Sequence, residues 1–293
     1  MGKLCLGQVD YLNVLPVYNA IDEGKIQLDA EIVKDAPARL NQQFLNGELD
    51  LTPISSIEYA RNADKCLIVP DLSISADGTV ESILLISKIP VTELEGKKIA
   101  LTTSSATSVV LLKVLMEHYY HVSAEYESFK PDLWAMLENC DAALLIGDDA
   151  LIAGEEVKKL SDNPLYVTDL GEVWKQFTGE AMVYAVWVVH RDFAEAYPEK
   201  VAEMHQALLK SKEIGYNEKR YLAEKAVKRN PKLSVQLIED YFETIRHDFD
   251  ENYRRALLTF YDYAYKSGLI DKRVKLAVWG ESDDSSDFAR KSS

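Results

Sequence analysis

The sequence predicts a two-lobed α/β protein, a clamshell in which each lobe is a mixed, mostly parallel sheet flanked by helices and a ligand sits between the lobes. Three observations predict it. The chain has 293 residues, which at about 150 residues per domain is room for two lobes. Its first half alternates short apolar runs with helical patterns, as parallel α/β proteins do. That alternation starts afresh near Lys98, and from Pro198 onward the chain reads almost wholly helical.

In the first unit, strands are expected at Lys3–Val9, Ala30–Val33, Leu51–Ile54 and Leu67–Val69, followed by Val80–Ser87. Helices at Pro16–Glu23, Pro37–Asn46 and Ser56–Asn62 lie between them. Pro16 and Pro37 suit first-turn positions, where a missing N–H costs nothing. Ser55-Ser56-Ile57-Glu58 matches the Ser-x-x-Glu capping box directly after a strand.

The second unit opens with a strand at Lys98–Leu101 and a helix at Ser105–Tyr119, whose apolar stripe runs through Val109, Leu112 and Met116. Strand Ala124–Tyr126, helix Asp132–Asn139 and strand Ala142–Ile146 follow, and Gly147-Asp148-Asp149 opens a short helix. Strand Tyr166–Asp169, helix Leu170–Phe177 and strand Val183–Val189 complete the unit. The helical end reads as Pro198–Gly215, Glu218–Arg229, Ser234–Phe242 and Asp250–Lys266, punctuated by Pro231 and Gly268. Crossing segments are expected near Ser87–Pro90 and Val188–Asp192. Residues 1–87 and 190–280 then make the first lobe, 88–189 the second, and 281–293 a loose Ser/Asp-rich tail.

Charge is the unusual term in the composition. Lys and Arg number 33 against 48 Asp and Glu, a net charge of −15. Such a body repels polyphosphate, so nucleic acid is not an expected partner. A cleft can still bind a small anion through backbone N–H groups at helix starts. Cys5, Cys66 and Cys140 are far apart, so neither a disulfide framework nor a metal-ligand spacing is expected. The first residues hold no apolar signal segment, and the longest apolar run, Met182–Val189, is far short of a membrane span. A cytoplasmic protein without membrane partners is expected; the oligomeric state is left open.

No nucleophile elbow, P-loop, dinucleotide fingerprint or zinc-protease motif occurs. His118 and His121 have ligand-like spacing, but favourable placement at a helix end accounts for them. Four polar turns that follow strands are more informative. They are Asp10-Tyr11-Leu12-Asn13, Thr52-Pro53-Ile54-Ser55-Ser56, Thr102 to Ser108, and Gly147-Asp148-Asp149. Helix capping explains any one of them. The run of hydroxyls before Val109 exceeds what one cap requires and suits a carboxylate cradle. From the residues alone, a binder of a small anion and an enzyme acting on one are both open.

These turns, in this order, resemble one family. Tyr11-Leu12-Asn13-Val14-Leu15-Pro16, Ser55-Ser56-Ile57-Glu58-Tyr59-Ala60-Arg61 and Pro70-Asp71-Leu72-Ser73-Ile74-Ser75 carry the likeness first. Gly78-Thr79-Val80-Glu81-Ser82, Thr107-Ser108-Val109, Leu145 to Leu151, Asp169 to Lys175, Thr178-Gly179 and Ala185-Val186-Trp187 extend it. The family is chorismate dehydratase, the first enzyme of the futalosine route to menaquinone, and the likeness runs from about residue 3 to 192. It implies a type II periplasmic-binding-protein fold. It also implies loss of water from chorismate to give 3-[(1-carboxyvinyl)oxy]benzoate, with aromatisation as the driving force and no cofactor or metal.

The resemblance points to Asn13 and Ser82 as the residues that orient the reacting groups. The matching blocks offer no obvious His or Glu as a base, so the substrate's own enolpyruvyl carboxylate is the expected base, and Asp148 its rival. Ser105, Thr107 and Ser108, with Ser55 and Ser56 on the opposite lobe, are candidates for the carboxylate cradle, and Gly147 and Asp148 for further substrate contact. Trp174 and Trp187 suit ring stacking or the core, and the apolar run around Trp187 favours the core. After Thr178-Gly179 the family has a Leu-Pro-Phe type segment, where this chain has Glu180-Ala181-Met182. Two alternatives stand beside the enzyme: a solute receptor for an aromatic carboxylate, and the sister 1,4-dihydroxy-6-naphthoate synthase, whose cysteine-and-proline first block is absent.

Overall fold

The structure is a computed structural model and describes residues 4–161 and 165–281, so most of the expected tail lies outside the described residues. The first unit runs β1 (Leu4–Val9), a short 3-10 turn at Leu12–Val14, α1 (Leu15–Asp22), β2 (Ala30–Asp35), α2 (Pro37–Leu45), β3 (Leu51–Ser55), α3 (Ser56–Arg61) and β4 (Cys66–Ala76). The second runs β5 (Ile83–Ser87), β6 (Lys98–Thr102), α4 (Ala106–Leu115), β7 (Glu125–Phe129), α5 (Leu133–Asn139), β8 (Ala142–Ile146), α6 (Gly147–Lys158), β9 (Tyr166–Asp169) and α7 (Leu170–Thr178). The chain closes with β10 (Met182–His190), α8 (Arg191–Ala196), α9 (Pro198–Asn217), α10 (Lys219–Arg229), α11 (Val235–Thr244) and α12 (Glu251–Lys266).

These strands form two sheets of one topology. The orders are β2-β1-β3-β10-β4 and β7-β6-β8-β5-β9. In the first, β1 pairs parallel with β2 and β3, while β10 is antiparallel to both β3 and β4. In the second, β6 pairs parallel with β7 and β8, while β5 is antiparallel to β8 and β9. Each lobe is therefore a mixed sheet flanked by helices, with four strands running one way and β10 or β5 running against them. The C-terminal ends of the parallel strands carry the turns that matter.

Strand pairing moves the expected crossings. β5 belongs to the second sheet and β10 to the first, so the chain passes between sheets at 77–82 and 179–181, not near 87–90 and 188–192. Both strands are apolar almost throughout and buried on both faces. Such a run fits the middle of either sheet, and periodicity carries no information about which one takes it.

The core explains both tryptophans. Trp187 and Tyr18 are fully buried, and the indole N–H donates to the Tyr18 hydroxyl at 2.9 Å, which donates in turn to the Gly7 carbonyl at 2.7 Å. Trp174 is also fully buried; it donates to the Ala181 carbonyl at 3.0 Å and packs edge-on against Phe260 and Tyr263. Each apolar ring is thus in the interior with its polar tip satisfied. α9 crosses α1 at backbone contact because Gly215 has no side chain: a Cβ there would stand 2.0 Å from the Pro16 carbonyl oxygen. That crossing anchors the C-terminal helices on the first lobe.

Candidate active site

A cavity lies between the sheets, about 560 Å³ when its open mouth is included, and residues of both lobes line it. Helix starts from both lobes converge on it. Pro37 opens α2, Ser55 precedes α3, Ser105 precedes α4 and Gly147 opens α6, and all four residues line the cavity. Pro37 has no N–H, and the Gly147, Ile57 and Ser108 N–H groups donate to Ser82 O, Thr107 Oγ1 and Ser105 Oγ, so what these helix starts chiefly add is the positive potential of the helix dipole. No Lys, Arg or His is among the described residues that line the cavity. An anion in this site is met by neutral donors and helix ends from both sides.

Asn13 and Ser82 face this space from opposite sequence neighbourhoods. The Asn13 carbonyl accepts from His247 Nε2 at 2.7 Å, and His247 Nδ1 lies 2.9 Å from the Tyr216 hydroxyl. A carbonyl only accepts, so Nε2 carries the hydrogen and Nδ1 takes the tyrosine's proton. Burial pushes the His247 pKa down to about 4, which keeps that relay neutral. The Asn13 side-chain oxygen is buried and has no hydrogen-bond partner among the described residues. An orphaned buried acceptor costs about 1–3 kcal/mol unless something meets it, and Asn13 lines the cavity between the lobes.

Ser82 sits at the first crossing, after Glu81, whose φ is 64°. A non-glycine residue in that region costs about 1–2 kcal/mol and needs outside support. Asp169 supplies it. Its Oδ2 accepts from Val80 N–H at 3.0 Å and Glu81 N–H at 2.7 Å, while its Oδ1 caps α7 through Gly171 and Glu172 at 2.9 and 3.0 Å. The Ser82 carbonyl accepts from Gly147 N–H at 2.7 Å. One carboxylate and one helix start thus fix the backbone that carries Ser82.

The hydroxyl candidates divide. Ser55, Ser105 and Ser108 line the cavity; Ser56 and Thr107 do not. Ile57 N–H donates to Thr107 Oγ1 at 3.2 Å, Thr107 lies 3.3 Å from Ser56 Oγ, and Ser56 donates to the Val183 carbonyl at 2.8 Å. That chain uses both protons, so these two residues join the starts of α3 and α4. Ser105 caps α4 by accepting from Ser108 N–H at 3.2 Å and donates to Ser108 Oγ at 3.1 Å, which leaves the Ser108 proton for the cavity. Ser55 forms no capping box. Asn41 brackets it instead, accepting from Ser55 N–H at 3.2 Å and donating to Ser55 Oγ at 3.4 Å.

Gly147 lines the cavity at φ 57°, and a Cβ there would stand 3.1 Å from the Tyr11 ring. Asp148 turns away from the cavity. Its carboxylate accepts from Leu12 N–H at 3.0 Å and from Asn230 at 3.4 Å, bridging α6 of the second lobe to the first. Burial, opposed by those bonds, pushes its pKa up to about 6. The titratable side chains that do line the cavity are Tyr11 and Tyr184. Burial raises Tyr11 to about 12 and Tyr184 well above the ordinary range, so both stay protonated. Glu180 lies outside the lining and pairs with Arg255 through both carboxylate oxygens, at 3.1 and 3.3 Å.

Sequence reasoning missed several contributors. Tyr11 belongs to the first polar turn, where nothing in the sequence marks it as a lining residue, and Tyr184, whose buried hydroxyl has no partner among the described residues, carries no sequence signal. Asp169 was readable as an Asp between a strand and a helix, a capping position. His118 Nε2 lies 2.9 Å from Ser267 Oγ, a contact across the fold, and His121 bonds the Glu117 carbonyl at 3.0 Å, at the end of its own helical turn. Among the described residues no group of three His, Cys, Asp or Glu is arranged to hold a metal ion, and no helix is long and apolar enough to cross a membrane.

Two sheets of one topology closing on a small-molecule cavity define a protein of the periplasmic-binding-protein fold. Solved structures agree: a protein of Archaeoglobus fulgidus superposes with a TM-score of 0.78 at 22% identity, over 92% of this chain and 98% of that one. The alkanesulfonate-binding protein of Xanthomonas axonopodis, bound to MOPS, gives 0.67 at 18% identity over 92% and 95%. Within that fold the chain belongs to the menaquinone-biosynthesis family, whose model matches residues 4–266. It is 33% identical to the chorismate dehydratase of Thermus thermophilus over 273 residues, 89% of this chain and 94% of the relative. It is 25% identical to the 1,4-dihydroxy-6-naphthoate synthase of the same organism over 67% and 69% of the two chains.

Proposed function

We propose that the protein is a chorismate dehydratase, an enzyme that eliminates water from chorismate to give 3-[(1-carboxyvinyl)oxy]benzoate. One observation carries the reading from the structure: helix starts and neutral donors from both lobes surround the orphaned Asn13 oxygen, with no cationic side chain in the lining. Such a site suits a small dianion that must be oriented rather than attacked. The ring carboxylate is held at the starts of α3 and α4 by Ser55 and Ser108, with Ser56 and Thr107 bracing those helices from behind. Asn13 and Ser82 hold the leaving hydroxyl and the enolpyruvyl group.

In the reaction, the C–H bond of the ether-bearing ring carbon breaks and its electron pair forms the new ring double bond. The adjacent C–O bond breaks, and hydroxide leaves with a proton as water. The enolpyruvyl carboxylate reaches that C–H hydrogen through a six-membered ring of atoms, so the substrate carries its own base. Tyr11 and Tyr184 stay protonated and Asp148 faces elsewhere, which supports this assignment. Aromatisation drives the step without a redox cofactor. The enzyme's work is positioning and exclusion of water between closed lobes. The reading places the reaction in the cytoplasm, with chorismate as the small-molecule partner and no role for nucleic acid or membrane.

The test is incubation of purified protein with chorismate, followed by liquid chromatography and mass spectrometry. A product one water lighter than chorismate is expected. Unchanged chorismate with a thermal shift marks a receptor, and neither turnover nor shift overturns chorismate as the ligand.

A further inference from the structure

We propose that Tyr241 of α11 is a positioning residue that sets Ser82 as a hydrogen-bond donor to the substrate. The inference rests on the reading of Ser82 given above. Tyr241 is fully buried, and its hydroxyl donates to Ser82 Oγ at 2.9 Å. A buried phenol has one proton to give, and burial holds that proton on the oxygen throughout the ordinary pH range. Ser82 Oγ therefore receives a hydrogen bond from behind. Its own proton has to leave in another direction, and Ser82 lines the cavity.

The polarity of that bond decides what Ser82 can do. A serine whose lone pair is engaged by a donor is a better donor itself, because hydrogen bonds in a chain polarise one another. It is a poorer base for the same reason. The geometry thus assigns Ser82 to support negative charge, either on the departing hydroxyl or on a substrate carboxylate, and leaves proton removal to the substrate. The backbone of Ser82 is already fixed by Gly147 N–H, and Asp169 fixes the two preceding residues. What Tyr241 adds is the rotation of the hydroxyl.

Tyr241→Phe removes one oxygen and keeps the ring. The expected result is a fall in kcat of about tenfold with KM within about twofold, since misdirecting a donor loses less than deleting it. In the Ser82→Ala background the same change is silent, because there is no hydroxyl left to orient. Tyr59→Phe is the control: a fully buried tyrosine whose hydroxyl accepts from Ala277 N–H at 2.8 Å, away from the cavity. It is expected to keep kcat. If Tyr241→Phe unfolds, 3-fluorotyrosine at 241 retains the ring and the donor and is expected to keep wild-type kcat. Wild-type kcat in Tyr241→Phe, losses that multiply in the double variant, or loss of turnover with fluorotyrosine each overturn the inference. Absence of dehydration by the wild-type protein overturns the functional reading instead.

Discussion

Asp169→Asn isolates the turn that carries Ser82. Asn caps helices as well as Asp does, so its oxygen can keep the bonds from Gly171 and Glu172 N–H at 2.9 and 3.0 Å. Its amide nitrogen then replaces the oxygen that accepts from Val80 and Glu81 at 3.0 and 2.7 Å, and donor faces donor. Hydrogen bonds to a charged acceptor are worth about 1.5–3 kcal/mol each. The Glu81 bond is lost while Val80 N–H keeps its second contact, to Oδ1 at 3.2 Å, and the turn relaxes, so a destabilisation of about 1–3 kcal/mol is expected by chemical denaturation. Relaxation also releases Glu81 from its φ of 64° and moves Ser82. A shift of about 1 Å in a positioning group lowers kcat by up to about 100-fold. Glu81→Gly in the Asp169→Asn background, where that φ carries no penalty, is expected to restore part of the turnover. Full stability and wild-type kcat in Asp169→Asn refute the account of the turn.

Three further outcomes follow from particular contacts. Asp148 has a folded-state pKa of about 6 against about 3.9 unfolded, so its contribution to stability is complete below pH 4 and lost as pH rises through 6. Asp148→Asn is therefore expected to gain up to about 2 kcal/mol over wild type at pH 7 and nothing at pH 4, measured as the difference between denaturation curves. Gly215→Ala drives a Cβ to 2.0 Å from the Pro16 carbonyl oxygen, and forcing α1 and α9 apart is expected to cost about 3 kcal/mol in the same assay. Arg255→Ala breaks an exposed pair with Glu180 outside the cavity and is expected to change stability by no more than about 0.5 kcal/mol and kcat/KM by less than about twofold.

Much of this architecture was legible because local chemistry and global fold agree. Pro16 and Pro37 stand in the first turns of α1 and α2, and Ser105 caps α4, as their residue types require. All four polar turns singled out from the sequence reach the cavity, through Asn13, Ser55, Ser105 and Gly147. What stayed hidden depends on contacts across long sequence distances. The exchange of β5 and β10 between sheets leaves no trace in periodicity, since both are buried on two faces. Ser56 and Thr107 look like ligand donors until their protons are followed to Val183. Tyr241 and His247 reach Ser82 and Asn13 from the C-terminal helical region, 159 and 234 residues away along the chain. The Glu180 departure is accounted for by Arg255, 75 residues away.

The account claims that donors in the cavity orient chorismate and that the substrate supplies the base. Its most direct test is the steady-state rate of water loss from chorismate in Asn13→Ala, Ser82→Ala and Asp148→Asn, measured side by side with wild type. Losses of about 100-fold or more in kcat/KM for the first two, with Asp148→Asn within a few-fold of wild type, are predicted. Full turnover in Asn13→Ala and Ser82→Ala together with loss in Asp148→Asn contradicts the account and makes Asp148 the base.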